Sequence, residues 1–169
     1  MKTVFIGLGS NLGDSLLVLQ KAWKDLGKQP GVNLLGLSSP YRTEPVGMSS
    51  SRWFVNAAGT VRTSLAPEEL LDCLMQIEKQ YGRERTPGQR EYQNRILDFD
   101  LLFYDRQVFT SDRLVIPHPE MHNRLFVLYP LSEIAPDLLH PIYNRTMLEL
   151  LSDRVNDSKH SEVYKISWP

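Results

Sequence analysis

The chain has a single cysteine, Cys73, in 169 residues. An internal disulfide framework is therefore excluded, and the composition fits a reducing compartment. Cys73 sits in a helical pattern, as a packed residue rather than a reactive one. No apolar run approaches the roughly 18 residues that a membrane span needs. The start, Lys2-Thr3-Val4-Phe5-Ile6, lacks the long apolar core and small-residue cleavage site of a signal peptide. An excess of one charge is missing too: 19 Lys and Arg stand against 20 Asp and Glu, a net charge of −1. No global field would recruit nucleic acid or a membrane, so basic residues matter only where they cluster. There is no Gly-Lys-Ser/Thr run and hence no P-loop. No Ser-His-Asp or Cys-His nucleophile pattern, internal repeat or low-complexity segment is visible. These absences leave one soluble, cytoplasmic domain over residues 1–169, long enough to bury a core.

Residues 2–8 read as a buried first strand, followed by a turn rich in helix caps, Gly9–Ser15. Leu16, Leu19, Trp23 and Leu26 then recur at helical spacing, with Gly27 and Pro30 as stop signals. The glycines of Gly7-x-Gly9-x-x-x-Gly13 miss the spacing of a dinucleotide fingerprint by one residue. A second strand covers 32–37, a loop 38–47 and a third strand 55–63. Pro67, Glu68 and Glu69 mark a helix start. That helix carries Leu70, Leu71, Leu74, Ile77 and Tyr81 on its apolar face and ends at Gly82. After the last strand, Asp105-Arg106 is a turn and Gln107-Val108-Phe109 returns beside that strand. The segments around 126–129 and 146–151 add one or two helices, and 152–169 form a polar C-terminal tail. The order β-α-β-β-α-β predicts a ferredoxin-like α+β fold, its helices packed on one face of an antiparallel sheet.

The chain is organised around the strand at 96–104. Leu97, Phe99, Leu101 and Phe103 alternate onto one face; Ile96, Asp98, Asp100 and Leu102 fall on the other. Two carboxylates on one face of a core strand are costly unless compensated. They are either solvated and salt-bridged, or they hold a divalent cation, for which hard oxygen ligands suit Mg2+. The preceding loop, 83–95, carries Arg83, Arg85, Arg90 and Arg95. Arg113, His118, His122 and Arg124 follow the strand. Arginine's planar fork fits phosphate oxygens, so acids for metal flanked by arginines are the inventory of a phosphoryl-transfer site. Glu78 is either a solvated helix acid or a residue that reaches the arginine loop. Asn56 interrupts an apolar stretch; its amide either bonds a neighbouring loop or reads the edge of a heterocycle.

Six fragments carry a family resemblance: Gly9-Ser10-Asn11-Leu12-Gly13-Asp14; Ser39-Pro40-Tyr41-Arg42-Thr43-Glu44-Pro45; Phe54-Val55-Asn56-Ala57-Ala58; Glu78-x3-Gly82-Arg83-x-Arg85; Arg95-x2-Asp98-x-Asp100-Leu101-Leu102; and Arg113-Leu114-x2-Pro117-His118-x3-His122-x-Arg124-x-Phe126. In this order and spacing, over roughly residues 3–151, the chain resembles the 6-hydroxymethyl-7,8-dihydropterin pyrophosphokinases of folate biosynthesis. The resemblance implies a ferredoxin-like fold. It also implies transfer of the β,γ-diphosphate of ATP to the pterin hydroxymethyl group, with release of AMP.

The resemblance further implies residue roles. Asp98 and Asp100 would hold two Mg2+ ions, and with Arg85 and Arg95 would form the catalytic group. Glu78, Arg83, Arg85, Arg95, Arg113, Val115, His118 and Arg124 would line the ATP side. Asn11, Thr43, Pro45, Val46, Phe54, Asn56 and Phe126 would form the pterin pocket, with Phe54 and Phe126 stacking on the two ring faces. Phe54 keeps the stacking surface of the tyrosine found in many relatives but lacks its hydroxyl. A second departure is Tyr92-Gln93-Asn94-Arg95, where relatives carry aromatic-Gly-Pro-Arg. The expected partners are the two small substrates, without nucleic acid or membrane, and the expected state is a monomer. Loops 44–53 and 83–95 are the expected lids. A metal-dependent phosphohydrolase and a non-catalytic nucleotide-binding ferredoxin-like module are the alternatives.

Overall fold

The computed structural model describes residues 1–45, 52–83, 94–157 and 162–169. Alternating apolar residues put β1 (Lys2–Ser10) at the centre of an antiparallel sheet, between β5 (Asp98–Tyr104) and β4 (Phe54–Thr63). β3 (Tyr41–Thr43) and β8 (Val163–Lys165) continue the sheet beyond the first half of β4, and β2 (Val32–Leu37) pairs with its second half. β6 (Phe109–Thr110) and β7 (Val115–Ile116) form a separate two-stranded ribbon.

Period two divides the sheet into two faces. Val4, Ile6 and Leu8 face α1 (Ser15–Gly27) and α2 (Pro67–Gln80), where Leu19, Trp23, Leu26, Leu70, Leu74 and Ile77 complete the larger core. Each helix starts on its own chemistry. Asp14 accepts from the Leu17 N–H at 3.1 Å, and Glu69 accepts from the Ala66 N–H at 2.7 Å ahead of Pro67. Gly82, at φ +83°, takes the left-handed turn that ends α2. On the other face Phe5, Ala58, Leu102 and Phe103 meet α3 (Leu125–Ile134) and α4 (Met147–Asp157) through Val127, Leu131 and Met147. The C-terminal helices thus cover the face that the ferredoxin-like unit leaves open.

Four sequence expectations change. Phe103 does not share a face with Leu97, Phe99 and Leu101. Phe5 pairs with Phe103 but Ile6 with Leu101, so Leu102 is an extra residue in β5. This bulge puts Leu102 and Phe103 in the same cluster and moves Tyr104 to the α1/α2 side. The loop expected over 38–47 contains β3, which pairs with β4. Gln107–Phe109 does not return beside β5; Phe109 pairs with Ile116 instead. Residues 152–157 complete α4, and 163–165 re-enter the sheet as β8.

Candidate active site

Cross-strand rows create the site. Asp98 lies opposite Gly9, and Gly9 opposite Asn56; Asp100 lies opposite Gly7, and Gly7 opposite Ala58. The central strand therefore offers no side chains between the acids on β5 and the polar groups on β4. A cavity of about 340 Å³ fills that trough. A Cβ on Gly9 would stand 3.0 Å from Asn56 Oδ1, and one on Gly7 would touch Asp100 and Leu102 at 3.6 Å. From β5 to β3 the trough crosses three strand spacings, about 14 Å.

At the β5 end, charge is arranged around Asp98. Arg83 Nη1 bonds Asp98 Oδ1 and Arg95 Nη1 bonds Asp98 Oδ2. Arg83 also donates to Glu78 Oε1 at 2.6 Å. Glu78 is 2% exposed, and the same oxygen accepts the backbone N–H of Phe99 at 2.7 Å. It is not a solvated helix acid: it lies beneath the site, holding Arg83 and the strand together. Asp100 borders the cavity. Burial and the neighbouring Asp98 charge push its carboxyl up to about 6, against the opposing pull of Arg124, Arg95 and Arg83. His118 Nε2 stands 3.8 Å from Asp100 Oδ1; burial, then the Arg124 charge, lower its imidazole to about 4, so it is neutral at pH 7.

At the β3 end, Asn56 Nδ2 donates to Thr43 Oγ1 at 2.8 Å. The first reading of Asn56 holds, since its amide ties the neighbouring strand β3; the side chain also lines the cavity. Phe54 and Phe126 border the same space, with the Arg124 guanidinium 5.8 Å from the Phe126 ring centroid.

The cavity brings together Thr43, Phe54, Asn56, Arg83, Arg95, Asp98, Asp100, His118, Arg124 and Phe126. Asn11 stands outside its wall. It accepts from the Arg95 N–H at 2.8 Å and donates to Asn94 at 2.7 Å, fixing the backbone that enters β5. Arg113 is not brought to the cavity; its guanidinium bonds Asp72 on the exposed side of α2. Val115 is 40% exposed on β7, and Pro45 is not a wall residue. Val46 and Arg85, with most of both expected lids, lie outside the described residues.

Sequence reasoning missed Gly7, Leu8, Gly9, Glu44, Ala57, Ala58, Leu102 and Val127 as wall residues. The signal for the glycines was present: spaced by two on a strand, Gly7 and Gly9 share one face. Among the described residues, no three His, Cys, Asp or Glu side chains cluster as a self-sufficient metal site. The fit to a cation is therefore a partial one. Asp98 and Asp100 supply hard oxygens on one face, but Arg83 and Arg95 hold both oxygens of Asp98 and would have to yield them to a cation. Phosphate and water oxygens would have to complete the coordination.

An antiparallel α+β sheet covered by helices, with a paired-carboxylate, arginine-lined end, defines a protein of the ferredoxin-like class. The comparisons narrow the class. Residues 5–136 match the family described as 7,8-dihydro-6-hydroxymethylpterin-pyrophosphokinase (HPPK), and the chain belongs to that family. It is 40% identical to the 2-amino-4-hydroxy-6-hydroxymethyldihydropteridine pyrophosphokinase of Methylorubrum extorquens, over 90% of this chain and 93% of that one. It is 41% identical to the Haemophilus influenzae protein of the same name, over 83% and 86%. Among solved structures, an HPPK-DHPS in complex with substrates superposes with a TM-score of 0.72 at 14% identity. The Plasmodium falciparum wild-type HPPK-DHPS with pteroate gives 0.74 at 14%. Each match covers 92% of this chain, which spans 44% and 42% of those longer chains. At that identity they confirm the fold alone.

Proposed function

We propose that this protein transfers the diphosphate of ATP to the hydroxymethyl group of 6-hydroxymethyl-7,8-dihydropterin, releasing AMP, in folate biosynthesis. Family membership and the names of the relatives support the reaction. The single observation that carries the residue roles is one trough with two chemically distinct ends. A phosphohydrolase would have no use for the second end. A sheet that stacks nucleic acid would not place two carboxylates on its open face.

In this reading the triphosphate lies at the β5 end. Arg83, Arg95 and Arg124 present guanidinium forks to its oxygens and offset its charge. Asp98 and Asp100 would hold two Mg2+ ions, whose chemistry there would be to neutralise phosphate charge and help align the reacting oxygens. Neutral His118 faces the phosphates as a hydrogen-bond partner. At the other end, Phe54 and Phe126 hold the pterin ring by its faces, while Asn56 and Thr43 read its edge. The protein's contribution is position and electrostatics, with no covalent protein intermediate.

Glu78 and Asn11 act from behind, setting Arg83, Arg95 and β5. Val46, Pro45, Arg85, Arg113 and Val115 belong to the proposal through the family motif. No helix among the described residues is long and apolar enough to cross a membrane. The proposal places the protein in the cytoplasm as a monomer. The test is product analysis with ATP, Mg2+ and the pterin. AMP and a pterin diphosphate in equal amounts, each requiring both substrates, are expected. ADP or free phosphate instead would overturn the assignment.

A further inference from the structure

β8 lies beyond residues 5–136, the part matched to the family, yet it pairs with β3, the strand that bounds the cavity at Thr43. Val163 pairs with Thr43 and Tyr164 with Arg42. Glu162 and Val163 also border a small side chamber, which shares Thr43 and Phe126 with the main cavity.

Side chains alternate along β3, so Thr43 faces the cavity and Arg42 the opposite face. There the Arg42 guanidinium lies 5.4 Å from the Trp53 ring centroid. Trp53 in turn stacks on Tyr164, with 5.8 Å between centroids and 27° between planes. Trp53 directly precedes Phe54, the cross-strand partner of Thr43 and a wall residue of the cavity. The stack therefore stands behind the two residues that open the β3 end. β8 is itself anchored: Lys165 Nζ is 3.2 Å from the Glu133 carboxylate on α3, and the Ile166 N–H donates to the Pro40 carbonyl at 2.9 Å.

We infer that Tyr164 is a positioning residue for the pterin end: by stacking on Trp53 it fixes the backbone that carries Phe54. The inference rests on the functional reading above. Phe54 is the first residue of β4, paired with Thr43, and the ends of elements open locally at lower free energy than core strands. An aromatic ring that must meet a flat heterocycle loses contact when its backbone shifts.

The test compares wild type, Tyr164→Ala and Tyr164→Phe in the full chain. Calorimetry gives the pterin and ATP-analogue Kd, and steady-state kinetics gives kcat and both KM values. Tyr164→Ala is expected to raise the pterin Kd and KM roughly two- to tenfold, the worth of an aromatic pair. The ATP-analogue Kd and kcat should not move, and Tyr164→Phe should restore pterin affinity. If the Ala variant does not fold, Tyr164→Leu takes its place, keeping apolar bulk without an aromatic face. An unchanged pterin Kd, or equal losses for both ligands, overturns the inference alone. Wild-type protein that binds no pterin overturns the functional reading and this inference with it.

Discussion

The buried carboxylate of Glu78 accepts the backbone N–H of Phe99, the residue between the two cavity acids. The same oxygen takes Arg83, which in turn bonds Asp98. One helix acid thus sets both the strand and the guanidinium of the β5 end. Glu78→Ala leaves a buried N–H without its acceptor and takes from Arg83 one of its carboxylate anchors. It should lower stability by about 1–3 kcal/mol and also reduce kcat. Glu78→Gln keeps an acceptor for Phe99 and should cost less stability. Urea midpoints and steady-state rates of both variants check this; wild-type values for Glu78→Ala would remove the residue from the site's support.

Asp100 should behave in the opposite way. Its carboxyl is pushed up by burial and by Asp98, so the ionised form is disfavoured in the folded chain. Asp100→Asn removes that repulsion. At neutral pH and without metal it should raise stability by roughly 1 kcal/mol or more, while turnover is abolished. Asp98→Ala should also abolish turnover, with the fold intact. Near-normal activity in either variant would refute the metal assignment.

These two acids mark how far the sequence could be read. Asp98 and Asp100 stood out because they break an apolar strand at its own period. The fold followed from element order, and the arginines from their density. The rest depended on partners distant in the chain. Phe103 changes face because of its pairing with Phe5, and periodicity within β5 does not register a bulge. Arg113 looked like its neighbours, but Asp72, on α2, takes its guanidinium. Glu78 stood open between a solvated helix acid, the usual case, and a reach to the arginine loop; its bond to Arg83 bears out the second, and the packing of α2 under β5 buries it. Gly7 and Gly9 miss a dinucleotide fingerprint by one residue; their place on a strand makes them the floor of a trough.

That floor is directly testable. A Cβ at Gly9 would meet Asn56 Oδ1 at 3.0 Å, so Gly9→Ala presses on the amide that lines the β3 end. The expected result is a pterin Kd raised about tenfold, a cost of about 1–2 kcal/mol in line with overpacking. ATP-analogue affinity should stay near wild type. Gly9→Val should remove pterin binding altogether. Calorimetry with each ligand separates the two ends; equal losses for both would mean that the strand, not the trough, was disturbed.

Acid stability should depend on Glu133. Burial raises its carboxyl, but hydrogen bonds from the Tyr41 hydroxyl, the Ser39 N–H and hydroxyl, and Lys165 outweigh it, lowering the group to about 2. A depressed folded-state pKa contributes stability fully above the unfolded value, near 4.5. That contribution is lost as pH falls from there towards about 2. Glu133→Gln should be less stable at pH 7 and show a flatter acid limb. Urea midpoints between roughly pH 3 and 7 check the sign; parallel profiles for the two proteins would contradict it.

Phe126 joins the two ends of the trough. Its ring borders the cavity while the Arg124 guanidinium lies 5.8 Å from its centroid, and the Arg124 charge also acts on His118 and Asp100. Phe126→Ala removes a stacking face and frees Arg124 from its aromatic support. Pterin binding should weaken by roughly 1–3 kcal/mol, the range for a base stacked on an aromatic side chain. If Arg124 is held chiefly by phosphate, the ATP-analogue Kd should barely change. If the ring orients Arg124, that Kd should rise as well, and Phe126→Leu, which keeps bulk but no π face, should show the same double loss. Titrating both ligands into the three proteins distinguishes these outcomes, and an unchanged pterin Kd in Phe126→Ala would take the residue out of the pocket.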